Sequence, residues 1–309
     1  MPLLEQLFAR RTLWVTGKGG VGKSSISAAL ALLAAQQGRR TLLIDVQATG
    51  DAARFLDAPP PRYEAREVSS VGRNLFHLAL HPEEVLDEYL EVALKVPRVR
   101  RFGPFRKVFD FIATGAPGVK EVLVPGKVGF EERATDRGRP RWDLIVVDAA
   151  PSGQVLSHLR GPRSIQEMVG VGMIRNQTAW VQELIDDPKR TGLVVVALPE
   201  EMPVTETEEL LAKLPDAVKT PVLAVVANRV VDAPRDRAAL PALAGVRTAL
   251  GDAAPALDAL ALSAELADDQ AEHLETLRGL GPPSLCVPLL AWERHDLAAT
   301  QRVAEALAR

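Results

Sequence analysis

A single cysteine, Cys286, occurs in the 309 residues, so one chain alone cannot close a disulfide or build a cysteine-based zinc site. A reducing compartment fits best, and a cytoplasmic location is expected. Long apolar runs are also missing. The most apolar segments, 26–35 and 193–198, fall well short of the roughly 20 residues that a membrane-spanning helix needs. The opening MPLLEQLFARR carries Glu5 ahead of its basic pair and too short an apolar stretch for a secretion signal, so no export is expected. Nor does charge of one sign dominate. With 37 basic and 40 acidic residues the net charge is −3, which gives no general pull toward nucleic acid, and nucleic acid is not an expected partner.

What is present is an ordinary apolar content, 47%, arranged in a rhythm. Short β-branched or aliphatic runs at 13–16, 41–45, 75–80, 144–148, 193–198, 222–227 and 284–289 alternate with helical stretches. Runs without polar alternation suit strands buried on both faces, and parallel strands need crossover helices. The expected fold is therefore α/β, a doubly wound, mostly parallel sheet. After the first run, 24–37 reads as a helix of about four turns, with Gly38 where a C-terminal cap would sit.

Between Leu80 and Trp142 the strand rhythm stops, and the segment reads as helices broken at Pro97, Pro104, Pro117 and Pro125. We take 1–309 as a single domain interrupted by a helical insertion at about 80–135. Within it, 95–107 holds six basic residues and no acid among Val and Phe. That stretch is read as a solvated helix edge near a partner subunit, or as a contact for an anionic surface or client. Between Gly251 and Glu275 seven acids occur without a base, which solubilising helix faces explain.

The chemistry-bearing motif is Gly17-Lys18-Gly19-Gly20-Val21-Gly22-Lys23-Ser24, a phosphate-loop pattern with an expected strand before it and a helix after. Glycines let backbone N–H groups turn onto a β-phosphate, and the helix start adds donors and a favourable dipole. Lys23 can reach the β- and γ-phosphates, Ser24 can place its hydroxyl on Mg²⁺, and Ser25 can touch the α-phosphate. ATP and Mg²⁺ are the expected ligands. Asp45 and Asp148 end the second and fourth runs, where carboxylates beside a phosphate loop project into the ligand crevice of an open α/β sheet. Asp148 is the candidate Mg²⁺ ligand, directly or through water, and Asp45 the candidate for orienting the attacking water. For either, a capping or turn aspartate is the alternative. Gly153 could give its N–H to the γ-phosphate.

The extra lysine, Lys18, resembles that of the deviant phosphate-loop ATPases, and the wider pattern resembles the family of arsenite-pump ATPases and tail-anchored-protein-targeting ATPases. The carrying segments are Asp148-Ala149-Ala150-Pro151-Ser152-Gly153-Gln154-Val155-Leu156, against the family's Asp-Thr-Ala-Pro-Thr-Gly-His-Thr-Leu, then Pro117-Gly118-Val119-Lys120-Glu121, Pro199-Glu200 with Glu206-Thr207, and Asn228. The resemblance implies that Lys18 crosses a dimer interface to the facing nucleotide, in a dimer with itself or a related ATPase chain. It implies that Asn228 reads adenine while Pro288 and Leu289 close on the base. It further implies a helical surface for a protein client, membrane-associated in part of the family. The helix after Asp148 is expected to pass Leu156 toward a turn at 160–163.

Three departures stand out. The first switch reads Asp45-Val46-Gln47-Ala48-Thr49-Gly50 where the family has Asp-Pro-Ala-His, so hydrolysis is expected to be slow or differently coupled. One cysteine cannot supply the thiolates that As(III) prefers, and the zinc pair of the eukaryotic targeting factors is absent. The insertion is short of Met, which speaks against a transmembrane-helix client. Two other readings stay open: a nucleotide-binding regulatory or assembly subunit with weak hydrolysis, and a positioning ATPase acting on a membrane or nucleoid. The second commonly adds a terminal basic amphipathic helix, whereas 297–309 holds only Arg302 and Arg309 as basic residues.

Overall fold

The computed structural model describes residues 3–81, 83–85, 88, 119–168, 173–234, 240, 245 and 247–309. Elements run α1 (Leu3–Phe8), β1 (Thr12–Gly17), α2 (Lys23–Gln36), β2 (Thr41–Asp45), α3 (Asp51–Phe55), β3 (Arg66–Glu67), β4 (Leu75–Ala79), α4 (Val119–Arg133), β5 (Thr135–Asp136) and β6 (Arg139–Pro140). They continue with β7 (Leu144–Asp148), α5 (Ser152–Met168), α6 (Met173–Asp186), β8 (Thr191–Ala197), α7 (Glu201–Ala217), β9 (Val222–Val230), α8 (Ala254–Gly279), β10 (Ser284–Pro288) and α9 (Leu297–Leu307). Eight strands form one sheet in the order β10-β9-β8-β1-β7-β2-β4-β3, parallel throughout except for the β3–β4 edge pair. All seven apolar runs are strands of this sheet. The three elements that the apolar rhythm did not announce, β3 and the β5–β6 hairpin, are two-residue, exposed pairs.

Side chains of each central strand split between two cores. Leu13, Val15, Leu43, Val146 and Val194 join the face covered by α1, α2 and α9, whereas Trp14, Leu42, Ile44, Val147 and Val195 join the face covered by α4 to α7. Such double burial explains why the strand sequences lack polar positions. Helix α2 is itself apolar nearly all round and is wedged between sheet and α9, with 11 of its 14 residues buried. Among the described residues no helix is long and apolar enough to cross a membrane.

Two sequence expectations are corrected in the second half of the insertion and beyond it. Pro125 does not break a helix: it lies inside α4. A proline there removes the N–H that would bond the carbonyl of Glu121. At that carbonyl, α5 approaches through Gly161, where a Cβ would come 2.9 Å from the Glu121 oxygen, so backbone packing replaces part of the missing contact. The expected turn at 160–163 is likewise absent, because α5 runs through Pro162 to Met168. The basic stretch 95–107, with Pro97, Pro104, Pro117 and Gly118, lies outside the described residues.

His77 on β4 is 3% exposed, and neither ring nitrogen has a hydrogen-bond partner. Burial pushes its pKa down to about 4, so the folded chain holds it neutral where the unfolded chain takes a proton. Protons therefore favour unfolding between pH 6.5 and about 4, and this histidine alone should lower stability by about 2 kcal/mol from pH 7 to pH 5. His77→Leu should flatten that slope and raise stability at pH 7 by about 1–2 kcal/mol, since it deletes two unpaired polar atoms. Urea denaturation of both proteins at the two pH values checks this; parallel losses on acidification would show that His77 is not the sensitive group.

Candidate functional site

The loop from β1 to α2 lies at the carboxyl edge of the sheet, between the ends of β7 and β8. Its last glycine, Gly22, caps α2 in the left-handed region at φ 96°, and a Cβ there would sit 2.3 Å from Asn228 Nδ2. Any other residue would both strain the loop and displace Asn228. Lys23 is buried and donates from Nζ to the Lys18 carbonyl at 3.0 Å, folding the loop around its own ammonium. Burial lowers its pKa, against the opposing pull of Asp148.

Strand register then brings the two aspartates side by side, Asp45 opposite Asp148 on β2 and β7. Asp148 is 5% exposed, accepts a hydrogen bond from Ser27 Oγ at 3.1 Å, and lies close enough to the Ser24 hydroxyl for that group to favour its charged form. Burial first, and then the charge of Asp45, push its pKa up to about 6 despite those hydroxyls and the nearby Lys23. A buried carboxylate so poorly neutralised, beside a serine hydroxyl and a second carboxylate, is a hard-oxygen donor set suited to Mg²⁺. Asp148 and Ser24 would hold the ion, with phosphate oxygens and water completing its shell.

Asp45 has a different immediate task. Its two carboxylate oxygens accept the N–H groups of Gln47 at 3.1 Å and Gly50 at 3.0 Å, and burial raises its pKa in spite of them. The segment it caps includes Ala48 at φ 52°, a left-handed conformation that costs a non-glycine residue about 1–2 kcal/mol. Segment 46–50 is thus a strained loop tied back onto Asp45, which caps its own turn.

Asn228, near the end of β9, donates from Nδ2 to the Val21 carbonyl at 2.8 Å. Because a carbonyl only accepts, the amide orientation is fixed, with Oδ1 left as an acceptor and the second Nδ2 hydrogen as a donor. Gln270 of α8 braces this strand end, bonding the Val231 N–H and the Arg229 carbonyl at 2.8 and 3.2 Å.

A cleft of about 470 Å³ gathers Gly19, Gly20, Gly22, Lys23, Ser24, Ser25, Asp45, Asp148, Asn228, Pro288 and Leu289. Three candidates stand outside its lining. Val21 is buried and contributes its carbonyl to Asn228. Gly153 is exposed in the first turn of α5. Lys18 reaches away to Glu206 of α7, Nζ to Oε1 2.9 Å, and the same carboxylate accepts from Ser152 Oγ at 3.3 Å. Sequence reasoning gave no site role to several further lining residues, among them Phe55, Arg229, Trp292 and His295. Phe55 and the Trp292/His295 pair are more than 200 positions apart, with no motif to join them.

A phosphate loop between β1 and α2, with two aspartates in register at neighbouring strand ends, defines a P-loop ATPase of the α/β class. The profile of the anion-transporting ATPase family matches residues 10–179 and 171–245, and the chain belongs to that family. It is 31% identical over 319 aligned positions to ATPase BagA of Mycobacterium tuberculosis, across 96% of this chain and 92% of that one. Similarity extends to the putative arsenical pump-driving ATPase of Halobacterium salinarum, 28% identical over 230 positions, 71% of this chain and 35% of that one. ATPase ASNA1 homolog 1 of Paramecium tetraurelia is 24% identical over 273 positions, 74% of this chain and 79% of that one.

Proposed function

We propose that the chain is a dimeric MgATP switch, paired with itself or a related ATPase, that couples nucleotide state to a helical surface for a protein client. In this reading residues 1–309 form one ATPase domain, and the insertion at about 80–135 carries the client surface. Lys23 and the loop N–H groups hold the β- and γ-phosphates, Ser25 contacts the α-phosphate, Ser24 and Asp148 hold Mg²⁺, and Gly153 senses the γ-phosphate. Asn228 reads the base with Pro288 and Leu289. The metal supplies charge neutralisation at the transferring phosphoryl group. Asp45, once released from Gln47 and Gly50, is placed to accept a hydrogen bond from the attacking water. Lys18 would act in the facing subunit.

The observation that carries the coupling is the course of α5. It begins four residues after Asp148, at the mouth of the cleft, and packs through Gly161 on Glu121 in the first described turn of α4. A shift at the γ-phosphate end is therefore transmitted along one rigid helix to the insertion. Coupling further requires ATP to bind one arrangement of these helices more tightly than the other.

Lys23→Ala should weaken MgATP about tenfold to a thousandfold in calorimetry, since it removes charge-assisted bonds to two phosphates. Hydrogen exchange compared between ADP and a non-hydrolysable ATP analogue should change both at 148–163 and at 95–121. If the first segment responds and the second does not, the nucleotide does not drive the client surface. The capped Asp45 and the altered first switch favour one other reading, a regulatory subunit that binds ATP and hydrolyses it poorly, which steady-state ATPase measurement separates. A lone cysteine, exposed on β10, gives no support for arsenite as the ligand.

A further inference from the structure

Beyond Asn228 the cleft ends in a group of rings to which the reading above gives no task. His295 stacks on Phe55 with centroids 3.8 Å apart and planes 18° from parallel, and its other neighbour is Trp292 at 4.6 Å. Phe55 is the last residue of α3, whereas Trp292 and His295 belong to the loop between β10 and α9. This juxtaposition is built from both sides. Asp57, just past α3, accepts from Arg294 at 3.1 Å and from the Leu297 N–H at 3.2 Å, and Thr300 donates to the Phe55 carbonyl at 2.6 Å. Trp292 nevertheless keeps 39% of its surface exposed, at the mouth of a cleft whose floor is the phosphate loop.

We propose that Phe55, His295 and Trp292 form an aromatic wall on which a purine base stacks, and that this wall ties recognition of the base to the first switch. The inference rests on the nucleotide reading above and adds to it which residues hold the base by stacking and what that stacking controls. Direction within the cleft supports it. His295 Nε2 lies 3.5 Å from Ser25 Oγ, the hydroxyl next to Ser24 on α2. A nucleotide with its β- and γ-phosphates on Lys23 and its α-phosphate near Ser25 continues, through the ribose, toward His295 and Trp292. The exposed indole offers a π-face, and stacking on an aromatic face accepts any flat base while excluding water from it.

The link to the first switch follows from the size of α3. That helix is only five residues long: Asp45 accepts the N–H of Gly50, its N-cap, and Phe55 closes it against His295. A base that immobilises the His295–Phe55 stack therefore also fixes the far end of the segment that Asp45 caps. A ligand made of phosphates alone lacks this handle. Base and γ-phosphate would thus hold the strained segment 46–50 from its two sides.

The test compares ATP with inorganic tripolyphosphate, both with Mg²⁺. Trp292→Ala should weaken ATP about tenfold to a hundredfold in calorimetry and leave tripolyphosphate within about twofold, whereas Trp292→Phe should keep most of the ATP affinity. In the unaltered protein ATP should slow hydrogen exchange across 46–55 more than saturating tripolyphosphate does, and Trp292→Ala should erase that difference. Equal losses for the two ligands, or no loss for either, would overturn the stacking wall. Equal protection of 46–55 by both ligands in the unaltered protein would overturn its link to the switch. If neither ligand bound the unaltered protein, the nucleotide site itself would be wrong, a result distinct from both.

Discussion

Asp148→Asn should make the nucleotide-free protein more stable and at the same time abolish most of its stabilisation by MgATP. The first effect follows from burial. In the folded chain the carboxyl is pushed up to about 6, so at pH 7 the fold bears an ionised group that it disfavours relative to the unfolded chain. The gap from the ordinary value of 3.8 to about 6 corresponds to about 3 kcal/mol, an upper figure because the amide keeps only part of the favourable interaction with Ser24 and Ser27. A gain of about 1–3 kcal/mol is expected at pH 7. The sign with pH is opposite to that of His77: between about 6 and 3.8 the folded state binds the extra proton, so this group's penalty fades on acidification, and the asparagine variant lacks that slope. The second effect follows from charge. Without the carboxylate, Mg²⁺ loses its buried anionic ligand, and the linkage that would add about 2.7 kcal/mol at a hundredfold excess over Kd shrinks toward zero. Urea denaturation with and without MgATP should therefore show the variant above wild type when empty, with most of that lead lost or reversed when loaded. A variant stabilised by MgATP as strongly as wild type would remove Asp148 from the metal site.

The pattern of what could be read in the sequence has physical reasons. The sheet was legible because double burial forces each central strand into an unbroken apolar run, as at Leu144–Asp148 and Thr191–Ala197. The phosphate loop was legible because its task constrains consecutive residues, with backbone N–H groups, lysine and serine within one turn of each other. Edges were not: the β5–β6 hairpin buries no side chain and is held by a two-residue turn, Arg137-Gly138, both at positive φ. A turn of this kind leaves only its glycine as a local mark. Proline misled at Pro125, because propensity scores a helix in isolation whereas α4 and α5 are held by each other. The aromatic wall left no local trace either. Its members meet only because α9 docks on α2 and α3, a consequence of tertiary packing and not of spacing.

Lys18→Ala should bind MgATP nearly as well as the unaltered protein and lose hydrolysis by at least about a hundredfold, the lower range for removing a cation that meets developing charge on a phosphoryl group. The geometry in the single chain makes this separation testable. Lys18 does not line its own cleft; its ammonium rests 2.9 Å from Glu206, and Glu206 also takes the Ser152 hydroxyl at the start of α5. The side chains of Lys18 and Glu206 are 29% and 35% exposed, so water screens the pair, and its worth is of the order of 1 kcal/mol or less. A pair that weak can be exchanged for the far stronger field of a triphosphate in the proposed facing subunit. Glu206→Gln then distinguishes the two tasks that Lys18 could have. If the lysine matters only as a tether for α7, breaking the tether from either side should have the same result, and the two variants should fall together. If it is a catalytic cation parked in its own subunit, Glu206→Gln should keep or modestly raise turnover, while Lys18→Ala loses it. Turnover and ATP affinity measured side by side in both variants decide the matter, and wild-type turnover in Lys18→Ala would end the role across the interface.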